Sequence, residues 1–404
     1  MKLLKIFITT ALVLLPFGEI LRFDIGNNIA IKPLDLIIIL TATYWLFLKA
    51  YKRQRVQNTY LAWPLVAFLL IGFLSLILNL SWLKTNELLV SILYLIRWVS
   101  YALLMIIVFE LPAYFKKKLV SFLFIDGLIM LLLGYIQYLF YPSLKNLYYL
   151  GWDEHMHRMF SVFFDPNFAG AFFVLYFIFL LGRFYFYRRI KNYKQSVIFG
   201  ILLIFTLVAI FLTFSRSAIL MLIVGALTLF TLIQKRKMIL PLLTAIILFS
   251  IIISPQSYIE NLNLLRLSST EARIANYSST LKIIKEKPVL GVGFNSVRYA
   301  KNHFDIQSGW TKLPSHADAG ADNSFLFVLA TTGFVGFLVY LWLWFCILKE
   351  AFRTNNQDPN MFSIVFISSS AGLFVNSMFI NSLFFPAFLI WIFILFGIME
   401  SKLP

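Results

Sequence analysis

The sequence predicts an all-α polytopic membrane protein with about 12 transmembrane helices. Three observations carry that prediction. Of 404 residues, 60% are hydrophobic and 13% charged, and the mean hydropathy is +0.84. A water-soluble chain carries roughly 25% charged residues. The apolar residues fall in blocks of about 18 or more, long enough to cross the hydrocarbon core as helices. The alternating pattern of a membrane β-barrel is missing, and a helix satisfies its own backbone groups in lipid.

Spans are expected near 4–20, 32–50, 61–80, 88–109, 119–141, 162–182, 196–214, 217–233, 238–254, 323–348, 361–380 and 383–400. Only a short polar break separates the seventh from the eighth. The first has Lys2 and Lys5 before its apolar stretch, as a signal peptide would. No small-x-small cleavage site follows, so it reads as an uncleaved span. On this plan residues 1–254 hold the first nine spans, 255–322 form one large loop, and 323–404 hold the last three.

Basic residues set the orientation. Lys49, Lys52, Arg53 and Arg55, then Lys116 to Lys118, then Arg188, Arg189, Lys191 and Lys194, then Lys235 to Lys237 occupy every second loop. That side is read as cytoplasmic, with both termini on it. The net charge of +17 is in part this topogenic signal. No compact basic domain exists, so nucleic acid is not expected as a partner. Cys346, the one cysteine, excludes an internal disulfide.

The outer side then holds two loops, from Tyr141 to about Ser161 and from about Pro255 to Asp322. In the larger one, Ser268 and Glu271 have capping-box spacing, and Pro288 ends the helix they open. Ile274, Leu281 and Ile284 read as one face of it with Tyr277. An amphipathic helix on the membrane surface or over a cavity is expected. Gly291-Val292-Gly293 is a turn, without the βα unit of a nucleotide fingerprint. All four histidines, His155, His157, His303 and His316, fall in these loops. His155-x-His157 supplies two metal ligands without a third, so no metal is expected.

Arginines at the outer boundary are the more telling residues. Arg216 stands between two apolar runs, Arg158 precedes the sixth span, and Arg273 begins the amphipathic helix. Snorkelling to headgroups explains one such residue. Several on one side suit a phosphate or pyrophosphate, which guanidinium binds bidentately. Arg97 lies inside the fourth span and needs an internal partner; Asp126 in the fifth is one choice. Asp322-Asn323 precedes the tenth span, where either residue caps a helix or a carboxylate serves as a general base. Asn376, Asn381 and Ser382 read as a plain outer turn.

In order and context these motifs resemble the O-antigen ligase and O-antigen polymerase family of bacterial envelope glycosyltransferases. Arg158 with Asp165-Pro166-Asn167 comes first, then Ser215-Arg216-Ser217-Ala218, then Glu271-Ala272-Arg273. Lys287-Pro288-Val289-Leu290-Gly291-Val292-Gly293-Phe294 follows, then Asp322-Asn323-Ser324-Phe325-Leu326 and Gly333-Phe334-Val335-Gly336. The resemblance covers roughly 155–345; the remainder matches only as a stack of spans. It implies a GT-C-like helical fold in the cytoplasmic membrane and an inverting transfer on its outer face. The implied donor is a glycan on undecaprenyl pyrophosphate, with no cofactor and no metal. The acceptor is a sugar hydroxyl on lipid A-core for ligases or on another lipid-linked glycan for polymerases. A flippase and a chain-length regulator of the same pathway are implied partners. Arg216 and Arg273 are the implied pyrophosphate contacts, with Arg158 a third. Asn323, Asp165, Asn167 and Arg97 would support the site.

One position departs from the family. Its ligases commonly place a His-Asn pair where this chain has Asp322-Asn323, and the histidine is the proposed base. Either Asp322 takes that role or His316 reaches in from the loop. The departure favours a polymerase over a ligase; a protein acceptor stays open. Two other readings compete. A transporter of a lipid-linked or anionic substrate would place ionisable residues at mid-membrane, as only Arg97 and Asp126 do. Other lipid-sugar glycosyltransferases need an acidic pair in the first outer loop, where only Asp24 stands.

Overall fold

A computed structural model describes residues 1–26, 29–56, 59–253, 268–306 and 320–399. Among the described residues fourteen α-helices follow one another, with a small β-hairpin after the first. They are α1 (Lys2–Leu14), α2 (Pro33–Tyr51), α3 (Thr59–Leu78), α4 (Thr85–Phe109), α5 (Ala113–Phe140), α6 (Pro166–Arg189) and α7 (Tyr193–Leu212). After these come α8 (Arg216–Leu232), α9 (Ile239–Ile253), α10 (Ser268–Glu286), α11 (Val297–His303), α12 (Ser324–Gln357), α13 (Met361–Ser377) and α14 (Pro386–Met399). The hairpin pairs β1 (Phe23–Gly26) with β2 (Ile29–Ile31) in antiparallel register.

Among the described residues, eight helical spans are long and apolar enough to cross a membrane, the first of them Lys2–Leu21, in which a 3-10 helix continues α1. Helices α8, α13 and α14 are apolar but shorter, and α9 has 15 residues. The chain is a multi-pass membrane protein. The break between α7 and α8 falls at Thr213–Ser215, where Phe214 has φ +49°.

Helices α6 and α14 are apolar all round and form the centre. Every residue of α14 is buried, as are Ala169 to Gly182 in α6. Trp391 packs edge-on against Phe172, with ring centroids 5.1 Å apart. Lipid is as apolar as these side chains, so close packing rather than water exclusion holds them. The periphery is different. Leu70 and Phe73 of α3 and Ile204 and Phe205 of α7 point outward, as lipid-facing residues do.

The ends of the bundle segregate. At one end the basic loops meet: Lys49 pairs with Glu110 at 2.7 Å, and Asn360 donates to the Met399 carbonyl at 2.8 Å. At the other end are the hairpin, the 141–165 loop, α10, α11 and the 378–385 turn. There Lys32 lies over the Phe385 ring and Tyr277 donates to the Met378 carbonyl.

Helix α12 is broken at Gly333, whose φ is +65°. A break in lipid would expose backbone polar groups, so protein must satisfy them. The 288–293 segment does so. Val292 N–H donates to the Ala330 carbonyl at 3.0 Å and Gly293 N–H to that of Thr331 at 3.1 Å. Phe334 N–H donates to the Pro288 carbonyl at 2.8 Å. A Cβ on Gly333 would lie 2.2 Å from the Val289 oxygen, and one on Gly291 2.4 Å from the Thr331 carbon. The two glycine motifs therefore dock against each other, and their docking fixes where α12 starts.

Ile274 and Leu281 of α10 are 61% and 47% exposed. The inward face is Asn276, Ser279, Thr280 and Ile283, which a polar–apolar mixture disguised. Arg97 does not pair with Asp126. Its partner is Asp35 of α2, at 3.4 Å, and Tyr101 donates to the same carboxylate at 2.8 Å.

Candidate functional site

A cavity of about 600 Å³ opens at the end of the bundle opposite the basic loops. Its walls come from distant parts of the chain: the first hairpin region, α4, the 151–168 stretch, the start of α10, residues 320–322 and the α13–α14 turn.

Asp322 sits on this wall, one residue before the helix cap. Of the two roles expected for the Asp-Asn pair, the helix cap falls to Asn323. Asn323 caps α12, its Oδ1 accepting from Phe325 N at 2.8 Å and Leu326 N at 3.0 Å. The Asp322 carboxylate opens onto the cavity instead. Its backbone is fixed by Asn276, whose Oδ1 accepts from Asp322 N at 2.9 Å. Burial pushes its pKa up from the usual carboxylate range to about 6; nearby Arg273 opposes that rise, and Asp165 and Asp153 add to it. A carboxylate so tuned is ionised at neutral pH and is a stronger base than a solvated one.

Arg158, Arg216 and Arg273 are linked in a chain. Arg158 is 3% exposed, and its Nε donates to the Thr213 carbonyl at 2.9 Å, its guanidinium also reaching Phe214. It thus holds the α7–α8 turn that carries Arg216. Arg216 donates to Thr270 Oγ1 at 3.0 Å, at the start of α10. One turn on, Arg273 faces the cavity and lies within the electrostatic field of Arg216. Like charges so placed repel, and an anion between them relieves the repulsion. Arg158 and Arg273 line the cavity itself, whereas Arg216 stands behind Thr270 at its edge.

Asp165 caps α6 and accepts from Asn167 N at 2.6 Å, while the Asn167 Oδ1 accepts from Ser215 Oγ at 3.0 Å. These residues join the start of α6 to the α7–α8 turn. Arg97 lines the opposite wall, over the Tyr94 ring at 4.3 Å. His316 lies outside the described residues. Among the described residues, no group of three His, Cys, Asp or Glu side chains is placed to hold a metal.

The sequence reading missed Glu19, Arg22, Lys32, Asp35 and Asp153. Lys32 pairs with Glu19, and Arg22 lies 3.9 Å from the same carboxylate. A cluster of charges at the junction of the first two spans was the available signal. It was passed over because each residue alone resembles a span boundary.

Residues 201–341 match a family model described as O-antigen ligase. That segment is similar to the O-antigen ligase family. No curated protein matches the chain. The matched segment runs from within α7 to the middle of α12, and it contributes Arg216, Arg273, Asp322, Asn323 and both docked glycine motifs. Arg158, Asp165, Asn167 and Arg97 reach the cavity from outside it.

Proposed function

We propose that the protein transfers or polymerises glycan carried on undecaprenyl pyrophosphate, at the outer face of a bacterial cytoplasmic membrane. The observation that carries this reading is the pairing of Arg273 and Asp322 on one cavity wall within the segment matched to the O-antigen ligase family. Asp322 removes the proton from an acceptor sugar hydroxyl. The hydroxyl oxygen attacks the anomeric carbon of the donor from the face opposite the pyrophosphate. As the new glycosidic bond forms, the bond from that carbon to the pyrophosphate oxygen breaks, and its electron pair leaves on the lipid pyrophosphate. Inversion follows from the single displacement. Arg273 and Arg216 stabilise the departing charge, as fixed cations do at a developing anion. A pyrophosphate is already a good leaving group, so the step is balanced with the chain's own side chains.

The basic loops at the opposite end of the bundle support an outward-facing cavity with both termini inside. An aspartate where the ligases of the family carry histidine favours polymerase over ligase. In purified protein supplied with undecaprenyl-pyrophosphate oligosaccharide, the product is expected to be a ladder of lengthened lipid-linked glycans. Arg216→Ala and Arg273→Ala should each remove the ladder while leaving expression and folding intact. A ladder that survives both changes would overturn the assignment of these arginines. Transfer to lipid A-core in place of a ladder would make the protein a ligase.

A further inference from the structure

The loop between α5 and α6 is a built feature that the transfer chemistry leaves unused. Its neck is closed by backbone hydrogen bonds. Leu144 N–H donates to the His155 carbonyl at 3.1 Å, and His157 N–H to that of Pro142 at 2.7 Å. Ser143 and Met156 form an antiparallel bridge between them. Within the neck, a short 3-10 turn over Lys145–Leu150 ends at Gly151 in the left-handed region. This closed loop presents aromatic faces outward. Tyr149 is 79% exposed and Tyr148 46%. Trp152 comes next and is held on the cavity wall by Arg22, 5.6 Å from its ring centre, and by the edge of Phe164 at 5.1 Å. Asp153 and Glu154 follow, both exposed and both on the cavity wall.

Flat aromatic rings beside carboxylates suit a sugar. The rings cover the apolar C–H face of a pyranose, and carboxylate oxygens accept hydrogen bonds from its hydroxyls. The same set does not suit an anionic lipid surface, because Asp153 and Glu154 repel it. It does not suit the pyrophosphate for the same reason. Within the cavity, Arg273 and Asp322 of the matched segment stand on one wall, and Trp152, Asp153 and Glu154 of the α5–α6 loop on another, with Tyr148 and Tyr149 exposed beside it. Asp322 lines the same cavity as Arg273 and Asp153.

We propose that the Tyr148–Glu154 segment is a saccharide-binding subsite that holds the glycan whose hydroxyl is activated by Asp322. The role as acceptor subsite rests on the transfer reaction proposed above; binding of a saccharide to the loop does not.

The test uses the full-length protein in nanodiscs and two probes. One is the lipid-free oligosaccharide released by mild acid from the lipid-linked pool of the native host. The other is undecaprenyl pyrophosphate without glycan. Tyr149→Ala and Asp153→Asn should each weaken oligosaccharide binding tenfold or more and leave undecaprenyl-pyrophosphate binding unchanged. Arg273→Ala should do the reverse. Wild-type protein that binds no oligosaccharide, or variants that bind it as wild type does, would overturn the subsite. Equal weakening for both probes would reduce the loop to a structural support and would also overturn it. Loop-dependent oligosaccharide binding in a protein that transfers nothing would leave the subsite standing and remove the transfer reading alone.

Discussion

At the residue scale, Asp322 is the group whose chemistry is most exposed to measurement. Its pKa near 6 places the acid limb of the rate there. Below that pH the carboxylate is protonated and cannot accept the acceptor's proton, so the rate falls as pH drops through about 6. Arg273 holds this pKa down. A pH–rate profile of Arg273→Ala, on its residual activity, should therefore show the limb at higher pH. An unmoved limb would mean that another group titrates. The same raised pKa has a consequence for stability. The folded state binds the proton more tightly than the unfolded state does, so stability falls as pH rises from about 4 to 6 and the loss is complete above that. Asp322→Asn should thus be no less heat-stable than wild type at neutral pH. Of these features the sequence showed only that an acid stood beside an Asn before a span. The assignment of the cap to Asn323 needed the hydrogen bonds from Phe325 and Leu326.

At the element scale, the break in α12 and the Arg158 clamp decide the shape of the cavity. Gly333 and Gly291 both have positive φ, +65° and +71°, and each faces the other's backbone. Alanine at either position adds about 1–2 kcal/mol of backbone strain before any clash. With the overlap included, Gly333→Ala should cost about 3–5 kcal/mol. A clear fall in the detergent-solubilised melting temperature would show it; an unchanged one would contradict the docking. Arg158→Ala removes charge-assisted hydrogen bonds to two buried carbonyls and should cost about 2–4 kcal/mol, with activity falling through displacement of Arg216. The helices themselves were legible because apolar runs of membrane length have few other fates. The inward face of α10 was not. Its inward positions include the buried Ser279 and Thr280 and the half-buried Asn276, polar residues satisfied by hydrogen bonds that hydropathy does not register. Nor was the partner of Arg97, because spans adjacent in sequence need not be adjacent in space.

At the scale of the whole molecule, the cavity is shared between the segment matched to the O-antigen ligase family and the chain on both sides of it. Arg97 and Asp35, from α4 and α2, brace one wall while α10 and α12 supply another. The outward orientation predicts accessibility directly. With Cys346 replaced by Ser, a cysteine at exposed position Lys285 should react with a membrane-impermeant maleimide on intact cells stripped of any outer barrier, and one at exposed Lys117 should not. The reverse pattern would invert the topology. The order of motifs made the similarity to the family legible from sequence, because several of them lie at helix starts and breaks, where backbone geometry restricts the residues allowed. The α5–α6 loop and the first hairpin were illegible as parts of the site, since nothing in local spacing says which loops share a cavity. The central claim is that Asp322 removes the acceptor proton inside this cavity. Its most direct test is the single-turnover rate of glycan transfer in reconstituted Asp322→Asn at saturating substrate. A rate lowered by about 10²–10⁴ with donor binding intact is the predicted result; a rate equal to that of wild type would contradict the account.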